Sequence, residues 1–96
     1  MGRDSKALVK MFKALSDETR HKIFELLCSD EMNVSDICKE FRTSQPTISH
    51  HLWILRSCEL VDTRKEGKMI YYSVNRKVIN DAFGNVIERF RIEVRK

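Results

Sequence analysis

Apolar residues along this chain keep a helical spacing through its first half. They then switch to a β-branched and aromatic pattern, and return to helical spacing at the end. From Ser5 to Leu15, Leu8, Met11, Phe12 and Leu15 fall three and four apart, which predicts an amphipathic helix. Ser16 is a candidate N-cap for a second helix, whose first turn carries Asp17 and Glu18 where the helix dipole favours acids. Ile23, Phe24, Leu26 and Leu27 are its apolar positions, and it should end near Cys28-Ser29-Asp30.

The next stretch, NVSDICKEF, predicts a short helix capped by Asn33, with Asp36 placed to return a weaker capping-box bond. Val34, Ile37, Cys38 and Phe41 are its inward stripe. After the turn RTS comes QPTISHHLWILRSC, with Ser44 as N-cap and Ile48, Leu52 and Leu55 as core face. Pro46 does no harm there, because first-turn amides have no intrahelical acceptor. Two short helices joined by a tight turn form a helix-turn-helix, at about 34–57.

LVDTRK and MIYYSV, separated by Glu66-Gly67, predict an antiparallel hairpin at about 60–74, with Gly67 supplying the positive φ of the turn. Val78, Ile79, Ala82, Phe83, Val86, Ile87 and Phe90 then form a long helical stripe over about 76–94. Gly84 either costs that helix ~1 kcal/mol or marks a close helix contact. The order α-α-α-α-β-β-α, with a hairpin directly after the helix-turn-helix, is a winged helix-turn-helix. The fold class is therefore mainly α (α+β), one domain over 1–96.

A chain of 96 residues has a marginal core. Leu8, Met11 and Phe12 of the first helix, with Ile79, Phe83, Val86, Ile87 and Phe90 of the last, are therefore the candidate homodimer interface. The net charge of +4, from 18 basic and 14 acidic residues, suits a nucleic-acid partner only if the excess is gathered on one surface. Cys28, Cys38 and Cys58 are odd in number and lack CxxC spacing, as expected of reduced thiols in a cytoplasmic protein. No stretch approaches the ~18 apolar residues that a membrane span needs, so no membrane partner is expected.

LSDETRHKIFELL (Leu15 to Leu27), SQPTISHHLWILRSCELV (Ser44 to Val61) and EGKMIYYSVN (Glu66 to Asn75) resemble the ArsR/SmtB family of winged-helix repressors. The likeness runs from about Leu8 to Val78. It implies a homodimer on inverted-repeat operator DNA, a recognition helix at Ser44 to Arg56, a wing at Thr63 to Tyr72 and dimerisation through the terminal helices. Many members release DNA on binding a metal or metalloid; others respond to redox chemistry.

On a helical wheel Ile48, Leu52, Leu55 and roughly His51 share the inward side. Ser44, Gln45, Thr47, Ser49 and His50 offer hydroxyls, a carboxamide and an imidazole, groups that hydrogen-bond base edges and phosphates. Arg56 ends the helix, with a phosphate or a nearby acid as its partner. Arg64, Lys65 and Lys68 on the wing fit phosphate or minor-groove contact, and Arg20 and Lys22 flank the other side. His51 reads as a half-buried histidine with a local hydrogen bond. Trp53, where the family usually has a polar residue, suits packing on the wing, on a terminal helix or on the sugar–phosphate edge.

Two metal signatures of the family are lost. Asn33 and Ser35 stand where the cysteine pair of ELCVCDL would be, and Arg76, Val78, Arg89 and Ile92 occupy the positions of the zinc site across the dimer. No metal or other cofactor is expected. A thiol-responsive repressor using Cys28, Cys38 or Cys58 is the main alternative, and a winged-helix protein-interaction module the next. No nucleophile has a base and an orienting group in a recognisable arrangement, so the chain reads as a non-enzyme. The inducer, or a regulatory protein in its place, is not legible.

Overall fold

The computed structural model describes residues 5–91. The elements are α1 (Ser5–Ser16), α2 (Glu18–Ser29), β1 (Met32–Asn33), α3 (Val34–Glu40), α4 (Gln45–Ser57), β2 (Val61–Glu66), β3 (Met69–Val74) and α5 (Arg76–Phe90). Residues 92–94 of the expected last helix, and the outermost residues of the expected 1–96 domain, lie outside the described residues.

Local chemistry sets each boundary. Asp17, not Ser16, caps α2: its Oδ2 accepts from the Arg20 amide at 3.0 Å. Ser16 instead donates its hydroxyl back to the Lys13 carbonyl at 2.7 Å, as serines at helix ends do. Asn33 caps α3 by accepting from the Asp36 amide at 2.8 Å. The Asp36 carboxylate turns to Lys39, 3.8 Å away, rather than closing a capping box. Ser44 caps α4, with Pro46 in its first turn.

The end of α4 sets the path of the wing. Leu60 N–H reaches the Leu55 carbonyl at 3.0 Å and Glu59 N–H the Arg56 carbonyl at 2.9 Å, a Schellman motif. Its left-handed position is taken by Glu59, at φ 61, where glycine is usual. Leu55 and Leu60, the apolar pair such motifs bring together, are both buried.

β2 and β3 pair antiparallel from Val61↔Val74 to Glu66↔Met69, so the two-residue turn is Gly67-Lys68, one residue later than the sequence suggests. Gly67 has φ +60 and Lys68 does not have positive φ, the pattern of a II′ turn. The third strand, β1, was not foreseen. It pairs with β3 (Met32↔Tyr72, Asn33↔Tyr71), giving the order β1-β3-β2. Two residues carry no alternation to read, and only the fold supplies their partner. This sheet edge ties the wing to the start of the helix-turn-helix.

The core gathers Ile23, Leu27, Ile37, Ile48, Leu52, Leu55, Leu60 and Val61, with Leu8, Met11 and Ala14 from α1 and Val78 and Ala82 from α5. The fold is a winged helix-turn-helix.

Candidate nucleic-acid interface

Ile48, Leu52 and Leu55 are fully buried, which fixes the roll of α4 and decides which side chains look outward. Gln45, Thr47 and His50 are exposed and Ser49 is half-buried. Ser44 and Thr47 are also committed locally: their hydroxyls share a 2.9 Å hydrogen bond, and the Ser44 hydroxyl accepts from the Thr47 amide. Gln45 and His50 therefore have the outward groups of α4 least occupied by capping. Arg56 is exposed beside a polar depression it shares with Glu59 and Asp62.

The wing departs from expectation at Arg64. Its Nε donates to both Glu31 carboxylate oxygens at 3.0 Å, its Nη1 donates to Glu66 at 2.7 Å, and its guanidinium lies 4.8 Å over the Tyr71 ring. The Arg64 hydrogen bonds hold the Glu31 carboxyl below the usual carboxylate range, while the two carboxylates push the Arg64 pKa upward. Arg64 thus clamps the wing to the residue before β1, with its guanidinium engaged by two carboxylates. Lys65 and Lys68 remain exposed at the tip, next to exposed Met69 and Ile70. On the other flank, Lys22 pairs with Glu18 at 3.1 Å, and Arg20 donates its Nε to the Ala14 carbonyl at 2.9 Å.

His51 is half-buried on α4, facing Asp17, Arg20 and His50. Its Nδ1 lies 4.0 Å from the Asp17 carboxylate, beyond hydrogen-bond range, so the expected local hydrogen bond at that nitrogen is not made. Burial lowers the His51 pKa and outweighs the attraction of Asp17. Burial thus favours the neutral form of His51, which packs half-buried between α4 and the start of α2. The Asp17 carboxyl is itself held low, first by the backbone hydrogen bond it accepts from Arg20.

The apolar residues of α1 and α5 divide in two. Leu8 and Met11, expected at a dimer face, are buried within the protomer's own core. Phe12, Phe83, Ile87 and Phe90 are exposed, and Ile79 and Val86 are half-buried. Among the described residues nothing lies within 4 Å of a Cβ placed at Gly84, so no close contact among them explains that glycine.

At the positions of the family's metal signatures the sequence has no thiol, imidazole or carboxylate. Asn33 is spent as a helix cap, Ser35 is an alcohol, and Arg76 donates to the Cys28 carbonyl at 2.9 Å. Among the described residues no three of His, Cys, Asp and Glu gather where an ion could bind. Cys28 is exposed, Cys38 half-buried and Cys58 buried, its thiol 3.7 Å from the Lys10 carbonyl. Among the described residues no helix is long and apolar enough to cross a membrane.

Residues 17–63 match the family described as bacterial regulatory protein, arsR family. The transcriptional repressor SdpR of Bacillus subtilis is 46% identical over 75% of this chain and 80% of its own length. The arsenical resistance operon repressor of Staphylococcus aureus is 40% identical over 84% of this chain and 78% of its own. The solved structure of an ArsR-like transcriptional regulator from Rhodococcus sp. RHA1 superposes with a TM-score of 0.79 at 32% identity, over 88% of this chain and 79% of that one. Built on the same winged helix-turn-helix, this chain belongs to the ArsR family of DNA-binding transcriptional regulators and is not an enzyme.

Proposed function

We propose that the protein is a homodimeric, cytoplasmic repressor that binds an inverted-repeat operator, with one α4 helix in each major-groove half-site. The observation that carries this reading is the outward row on α4, Gln45, Ser49 and His50, held rigid by the buried Ile48, Leu52 and Leu55 behind it. Gln45 reads a base edge, an adenine being its best partner. Ser44, Thr47 and Arg56 hold phosphates at the rim, and Lys65 and Lys68 hold them at the wing. The exposed Phe12, Phe83, Ile87 and Phe90 support a second copy as the partner that covers α1 and α5.

The repressor works without either of the family's usual metal sites. The side chains at those positions are a cap, an alcohol, arginines and aliphatics, which leaves the releasing signal to another inducer or to a regulatory protein. The thiol-responsive alternative has one exposed sulfur, Cys28, with which to begin.

Titrating a duplex from the protein's own promoter at several salt concentrations tests the reading. Binding should fall steeply with salt and should exceed binding to random duplex, and Gln45→Ala should erase most of that preference by ~1–3 kcal/mol. Equal affinity for both duplexes in the wild type would refute it.

A further inference from the structure

Trp53 is the chain's single tryptophan, and it is 66% exposed on α4. Tryptophan, with its apolar body and polar N–H, is enriched at binding surfaces. It follows Ser49 by four residues and His50 by three, which places it on their face of the helix, about 6 Å further along the axis. A recognition helix meets base edges with its N-terminal residues, so the same face one turn on reaches the rim of the groove, where the sugar–phosphate strand runs.

Beside Trp53 lies an open groove of about 320 Å³ between α1 and α4. Lys10 and Lys13 of α1 and Arg20 of α2 border it, with Ala14 and Cys58 among its apolar parts, and none of its lining residues is acidic. Its walls are tied to one another. The Cys58 thiol reaches the Lys10 carbonyl at 3.7 Å, and the Arg20 Nε–H holds the Ala14 carbonyl at 2.9 Å. Three cations around one exposed indole, in a fixed groove, select an anionic partner that also offers apolar surface. Continuity with the outward row of α4 makes that partner DNA rather than an acidic peptide.

We propose that this groove is a second DNA contact, which takes the sugar–phosphate strand bordering the half-site. The indole packs on deoxyribose, and Lys10 and Lys13 neutralise the adjoining phosphates. The inference rests on the DNA-binding reading above and extends that interface from α4 and the wing onto α1. Such a contact adds affinity without adding sequence preference.

Because Trp53 is the only tryptophan, its emission reports this site alone. A promoter duplex of roughly 30 base pairs, about three helical turns, carries a dye whose anisotropy follows binding. Acrylamide quenching of Trp53 is read on the same samples. Quenching should fall along the anisotropy curve. Lys10→Ala with Lys13→Ala, which keeps the reporter, should lower the salt slope of the homodimer by up to about four, two from each chain. Trp53→Ala should weaken promoter and random duplex alike, roughly fivefold, with an unchanged far-ultraviolet circular dichroism spectrum.

Binding that remains sensitive to Gln45 while quenching, salt slope and affinity ignore these changes would overturn the groove contact and leave the proposed function standing. Absence of any anisotropy change would overturn both. Protection of Trp53 by polyglutamate but not by duplex would overturn the DNA assignment in favour of an acidic protein partner.

Discussion

Helices α3 and α4, and helices α1 and α5, all carry apolar residues at three- and four-residue spacing, yet only the first pair finishes burying its stripe within one chain. Ile37, Ile48, Leu52 and Leu55 have no exposed surface, whereas Phe12, Phe83 and Phe90 are 43%, 50% and 64% exposed. The helix-turn-helix is closed from behind by α1 and α2 and pinned at its side by the β1–β3 pairing. Helix α5 is anchored by the buried Val78 and Ala82, with Ile79 and Val86 packed half-buried against the core, and among the described residues nothing covers its aromatic face. The same periodic signal thus marks a completed core in one place and an unfinished surface in the other.

Substitutions should therefore act differently on the two sides. Leu52→Ala removes a fully buried side chain from the reading head and should cost ~2–5 kcal/mol, a large part of the stability of so small a domain. Urea denaturation should show it as a lower midpoint with an unchanged slope. A loss below ~1 kcal/mol would mean the head is not the rigid half. Phe83→Glu should leave the head folded but weaken self-association by about tenfold or more, or ~1.4 kcal/mol, seen as lighter species in sedimentation. Unchanged sedimentation of that variant would detach the aromatic face from dimerisation.

Within the DNA-binding half, the wing holds a smaller contrast. Lys68→Ala should lower the slope of log affinity against log salt by about two for the homodimer, because it removes one open phosphate contact from each of two chains. Arg64→Ala should leave that slope unchanged and act instead by loosening the wing, since its guanidinium is engaged by Glu31 and Glu66. Equal slope changes in the two variants would mean that DNA takes Arg64 from its carboxylates.

The smallest effect is expected at the end of α4. Glu59→Gly relieves a left-handed residue that bears a Cβ, at some cost in unfolded-state entropy, and should raise stability by ~0.5–1 kcal/mol. Thermal unfolding would register it, with self-association unaltered. A loss of stability would show that the Glu59 side chain contributes more than its backbone strain costs.

What was legible in the sequence follows from range. The helices announce themselves through Leu8 and Met11, or Ile48 and Leu52, because periodicity is local, and the hairpin does so through β-branched runs and Gly67. Asp17 displaced Ser16 as cap because two good capping residues stand side by side, and only backbone geometry chooses between them. The clamp from Arg64 to Glu31 joins residues 33 apart in the chain and has no local trace. Arg64 therefore read as one more basic residue on a wing. Leu8 and Met11 read as interface because a stripe does not say which part of it faces inward. Trp53 was conspicuous from the start, but its groove exists only once α1 lies beside α4.

A self-contained reading head paired through an unfinished α1–α5 face should put two chains on one operator. The most direct test is the stoichiometry on DNA, by native mass spectrometry of the chain bound to a duplex from its own promoter. Two chains per duplex are expected for the wild type, with Phe83→Glu losing the second chain together with most of the affinity. A single wild-type chain bound at full affinity, or two chains retained by Phe83→Glu, would contradict it.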